Sequence, residues 1–177
     1  MYLRHYYRAA TRDDIIDVCD QVADILRDFF SDPENANKKI TIHVDGYANG
    51  GKSIFWDRVK DKLLSFRGIF VAKNSRSNDY HGRAYETWVG ELEKNGLPLK
   101  IFFANISSLY KEDYDYEPLA QDANVVILTN TEHLPAHLKK SDLEITINSA
   151  EKSESTDGTW DRRLLLRSNQ GSIFVIE

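Results

Sequence analysis

Residues 46–53 read Gly46-Tyr47-Ala48-Asn49-Gly50-Gly51-Lys52-Ser53, an ungapped match to G-x-x-x-x-G-K-[ST]. The chemistry this spacing serves is anion capture. Glycines let the backbone bend until successive N–H groups point into one hollow. The positive end of a following helix adds to the attraction. Lys52 supplies a point charge that reaches β- and γ-phosphates, and the Ser53 hydroxyl is a ligand for Mg²⁺ beside them. By average residue usage, an accidental match falls on the order of once per hundred chains of this length. The expected binding set is Gly46, Tyr47, Ala48, Asn49, Gly50, Gly51, Lys52, Ser53 and Ile54, with Ser53 on the metal and ATP as the nucleotide. The loop itself leaves adenine and guanine open.

Binding is not hydrolysis. Hydrolysis also needs an acid on a neighbouring strand for the Mg²⁺ shell and a group that orients the nucleophile. The segment LKIFFANI ends in Ala104-Asn105, and NVVILT ends in Thr129-Asn130. Asn105 and Thr129, with Lys52, are therefore the catalytic candidates, Asn105 as an amide in the place of a carboxylate. Asp45, Asp79, Asp113 and Glu132 are carboxylates near phosphate-facing loops, with a solvated charge as the default reading of each; Asp45 either faces the site or caps the turn. Arg76, Arg83, Arg162 and Arg163 are candidate charge stabilisers, with paired surface charges as the default reading. His133 and His137 are four apart, but Pro135 between them and the missing H-E-x-x-H pattern argue against a metal site. The DYDYEP stretch fits either a stacking surface or a plain loop.

These residues need elements to hold them. ITIHVD, 40–45, alternates Ile40, Ile42 and Val44 as a strand leading into the glycines, and 54–66 carries a helical apolar face. Strands are also expected at 2–9, 68–72, 99–106 and 124–129, then in LEITIN, RRLLLRS and GSIFVIE. Apolar positions 15, 18, 19, 22, 25, 26 and 29 mark a helix starting at Thr11, with Cys19 inside its core stripe. Tyr85, Trp88, Val89 and Leu92 are spaced for a further helix over about 82–94, ended by Asn95-Gly96 and Pro98. Strands alternating with helices predict one domain over 1–177, an α/β three-layer P-loop sandwich whose sheet is mainly parallel with antiparallel C-terminal strands.

Composition narrows the class. At 177 residues, 41% hydrophobic and 29% charged, the chain suits a globular domain. A formal net charge of −5 does not favour direct nucleic-acid binding. One cysteine excludes an intramolecular disulfide framework. No apolar run approaches the ~18 residues that span a bilayer, so no membrane partner and a cytoplasmic setting are expected.

The order of segments resembles a known family. A first strand leads to Thr11 and an amphipathic helix, then strand and P-loop, IFFAN, AQDANVVILTN, LPAHLKKSDLEITI and a final hairpin. This is similar to TsaE, the small ATPase of bacterial tRNA threonylcarbamoyladenosine synthesis, over about residues 5–175. The resemblance implies ATP and Mg²⁺ binding and protein partners in a tRNA-modifying complex. Where that family has Asp after an aromatic pair, this chain has Ala104-Asn105; where it has Glu-Trp, this chain has Thr129-Asn130. Weak or partner-dependent ATP hydrolysis is the expectation. GYANGGKS and VVILTN also resemble the core of superfamily 3 helicases and other AAA+ ATPases, in which Asn130 would sense the γ-phosphate. A small-molecule or nucleotide kinase and a non-catalytic nucleotide-dependent interaction module complete the alternatives.

Overall fold

The computed structural model describes residues 2–5, 12–46, 52–73, 85–92, 95–106, 117–131, 134, 139–149, 162–168 and 174. In chain order these form β1 (Tyr2–His5), α1 (Arg12–Phe30), β2 (Ile40–Gly46), α2 (Lys52–Leu63), β3 (Leu64–Lys73), β4 (Tyr85–Leu92), β5 (Pro98–Asn105), α3 (Glu117–Gln121), β6 (Val125–Thr129), β7 (Leu143–Ser149) and β8 (Arg162–Ser168).

Asp13 and Asp14 sit in the first turn of α1 and Arg27 in its last, each sign matched to the helix dipole. The apolar stripe does the rest: Ile15, Val18, Cys19, Val22, Leu26 and Phe30 are buried. The helix stops before Ser31-Asp32-Pro33, where Asp32 accepts from the Glu34 N–H at 3.0 Å and caps a short 3₁₀ turn.

The eight strands form one sheet in the order β1-β8-β7-β2-β6-β5-β4-β3. Its centre is parallel: β2 pairs with β7 on one side and β6 on the other, and β6 pairs with β5. The expected parallel part is this four-strand block. β8 runs antiparallel to β7, as expected for the C-terminal strands, and β1 borders it. The GSIFVIE strand lies outside the described residues apart from Phe174, which is buried.

The helix over 82–94 is not formed. Residues 85–92 are β4, antiparallel to both β3 and β5. Tyr85, Thr87, Trp88 and Val89 prefer a pleated surface, and here sheet pairing overrides a helical spacing of four residues. Asn95-Gly96 does terminate the element, but as a hairpin turn: Gly96 adopts φ +68°, and the Leu92 N–H donates to the Leu97 carbonyl at 2.7 Å.

Two apolar layers cover the sheet. On one face α1 and α2 pack on Ile40, Ile42, Val44, Ile101, Phe103 and Ile127. On the other, Ala120 of α3 and Leu134 cover Phe102, Ala104, Val126 and Leu128. This gives the three-layer arrangement. α1 and α2 are tied at their surface by Asp20, which accepts from Arg58 Nε at 2.7 Å and Nη2 at 3.0 Å and pairs with Lys62 at 2.8 Å. The Arg58 guanidinium holds the Asp20 carboxyl below its ordinary range.

Candidate functional site

Strand β2 is buried at its centre and emerges at Gly46. Gly46 has φ +140°, and a Cβ there would lie 2.0 Å from the Ile147 carbonyl oxygen of β7. Only glycine fits this exit from the sheet. The chain returns at Lys52, the first residue of α2, whose Nζ donates to the Gly46 carbonyl at 2.7 Å. The two ends of the glycine-rich segment therefore meet, with an ammonium held over the junction. Tyr47, Ala48, Asn49, Gly50 and Gly51 lie outside the described residues, and for Ser53 and Ile54 only the helical backbone is described.

The start of α2 is fixed by aromatic packing. Trp56 stacks on Phe103 of β5 and on Trp88 of β4, with centroids 4.3 and 5.1 Å away. Lys60 lies over the Trp88 ring at 5.1 Å.

Register brings the other candidates to the same end of the sheet. Thr129 stands opposite Val44 of β2 and Asn105 of β5. Thr129 is 3% exposed. Asn130 follows with φ +56° and donates from Nδ2 to Asn105 Oδ1 at 2.7 Å. Two amides thus meet where a metal-shell acid would be sought. Among the described residues, no group of three or more His, Cys, Asp or Glu is placed to hold a metal. Asp79, Asp113, Glu132, His133, His137, Arg76 and Arg83 lie outside the described residues; Arg162 and Arg163 are in β8, away from β2.

Asp45 is bonded to the turn after β6. Its Oδ1 accepts from the Thr131 N–H at 2.8 Å, and its Oδ2 accepts from the Thr131 hydroxyl. It belongs to a cavity of about 280 Å³ on the face away from α1 and α2, lined also by His43, Lys139, Glu144 and Thr146. His43 is 4% exposed, and its Nε2 has no hydrogen-bond partner among the described residues. Burial holds the imidazole pKa below its ordinary range, with Asp45, Glu144 and Asp142 pulling it back up. The sequence carried a signal for this face: Thr41, His43 and Asp45 alternate with the apolar Ile40, Ile42 and Val44, so they must look the other way. Cys19 is the core side chain expected; burial pushes its thiol up to about 12, which leaves it no nucleophilic role.

The architecture is an α/β three-layer sandwich consistent with a P-loop NTPase-like fold. Among solved structures the chain is similar to YdiB of Bacillus subtilis, with a TM-score of 0.54 and 12% identity over 98% of this chain and 91% of that one. At that identity the likeness shows the fold alone. No family model matches the chain, and no curated protein does. No described helix is long and apolar enough to cross a membrane.

Proposed function

We propose that the protein binds ATP with Mg²⁺ through residues 46–54 and hydrolyses it weakly or only with a partner, in the manner of TsaE. The observation that carries this reading is the meeting of Gly46 and Lys52: a glycine that alone fits its position, answered across the loop by an ammonium 2.7 Å from its carbonyl. On this reading Lys52 leaves that carbonyl for the β- and γ-phosphates, and the loop N–H groups and the start of α2 take the remaining charge. Ser53 is the residue that would hold Mg²⁺, which neutralises phosphate charge when bound. Asn105 and Thr129 stand near the terminal phosphate. The amide of Asn105, at the strand end where a carboxylate would serve the metal shell, is the reason for assigning slow turnover. Protein partners of a tRNA-modifying complex, and a cytoplasmic setting, belong to the same proposal.

The pairing of Asn105 with Asn130 favours one second reading, a nucleotide-dependent interaction module that does not turn over. A titration with a fluorescent ATP analogue, followed by phosphate-release measurement, tests both. Binding displaced by ATP but not by adenosine supports phosphate capture, and no saturable binding contradicts it. Phosphate release separates the weak ATPase from the silent module.

A further inference from the structure

A line of hydrogen-bonded side chains crosses the C-terminal ends of β2, β6 and β5, which are neighbours in the sheet. Asp45 at the end of β2 grips Thr131 through both carboxylate oxygens. Thr131 is the residue after Asn130, and Asn130 reaches across to Asn105 at the end of β5. Asn130 is the one described non-glycine residue with a positive φ, +56°. Asparagine tolerates that left-handed conformation better than most residues, but a single such residue persists only where its surroundings fix it. The grip on the next residue is such a constraint, because it binds both the main-chain N–H and the side-chain hydroxyl of Thr131. Asp45 also directly precedes Gly46, so one residue joins the turn after β6 to the start of the glycine-rich loop.

We propose that Asp45 is a positioning residue for the terminal phosphate: by holding Thr131 it keeps Asn130 left-handed and aims the Asn130–Asn105 amide pair at the γ-phosphate. The inference rests on the nucleotide reading above. It predicts that Asp45 matters for telling a triphosphate from a diphosphate, while the loop and Lys52 carry the affinity common to both.

The test compares ADP with the slowly hydrolysed ATPγS by calorimetry, alongside the side-chain amide signals of Asn105 and Asn130 in ¹⁵N NMR. Asp45→Ala is expected to leave ADP affinity within about twofold and to lower ATPγS affinity about tenfold, the worth of one lost hydrogen bond to a charged group. Both amide signals should move. Thr131→Ser, which keeps the hydroxyl, should behave as wild type, and Thr131→Val, which keeps only the N–H bond, should fall between. Equal losses for both nucleotides, or an unchanged ratio between them, overturn the phosphate role. Unmoved amide signals in Asp45→Ala overturn the positioning of the pair, whatever the nucleotides do. Failure of the wild-type protein to bind either nucleotide is a separate result: it removes the nucleotide reading, and the phosphate role with it.

Discussion

Trp56 stacks on Phe103 with ring centroids 4.3 Å apart and planes 18° from parallel. Trp56 lies one turn after Lys52 in α2, and Phe103 lies two residues before Asn105 in β5. The stack therefore joins the helix that follows the glycine-rich loop to the strand that ends in the paired amides. A helix start that binds phosphate must not drift, since its N–H groups act only over its first turn.

Phe103→Ala removes the strand's half of this contact from a site 3% exposed. The expected cost is about 3–5 kcal/mol, as for other buried aromatic truncations. Urea denaturation followed by tryptophan emission measures it. A loss under ~1 kcal/mol would mean that the stack is not a support of α2.

Gly46→Ala should be worse than its single added methyl suggests. The Cβ would meet the Ile147 carbonyl oxygen at 2.0 Å, in a backbone conformation that L-residues avoid. Strain of this kind, with displacement of β7, is expected to lower stability by more than about 2 kcal/mol. A shift of the denaturation midpoint checks it, and a fully stable Gly46→Ala would contradict the described exit from β2.

His43 makes stability depend on pH in a definite direction. Burial lowers its pKa in the folded protein from the ordinary 6.5. Below pH 6.5 the unfolded chain therefore takes up a proton that the folded chain does not, so stability falls as pH decreases through the window between the two values. Once the folded imidazole is itself protonated, that dependence levels off. Among the described residues, Asp45 on β2, Asp142 and Glu144 at β7 and the exposed Lys139 are the charged groups around it; the three carboxylates narrow the window. His43→Gln should flatten the stability curve between pH 6.5 and the lower value. An unchanged slope would assign the acid sensitivity elsewhere.

The centre of the fold was legible because its signals are short-range. Ile40, Ile42 and Val44 alternate, the α1 stripe repeats at helical spacing, and 46–53 is a contiguous pattern. β4 was not legible. Tyr85, Trp88, Val89 and Leu92 satisfy a helical period, and what makes 85–92 a strand is pairing with β3 and β5, a tertiary fact. The site divides in the same way. Lys52 and Gly46 could be named from the pattern, but their meeting needed the fold. Asp45 with Thr131 joins residues 86 positions apart, and Asn130 with Asn105 joins residues 25 apart; no local signal marks either. Glycine-rich spacing announces an anion site, whereas an acid or amide at a strand end acquires meaning only from its neighbour.

The central claim is that the loop closed by Gly46 and Lys52 holds a triphosphate. Calorimetric titration of wild type and Lys52→Ala with ATP and Mg²⁺ tests it most directly, with circular dichroism to confirm that both are folded. The account predicts saturable one-site binding to wild type and none detectable to folded Lys52→Ala. Equal affinity in the two proteins would contradict it.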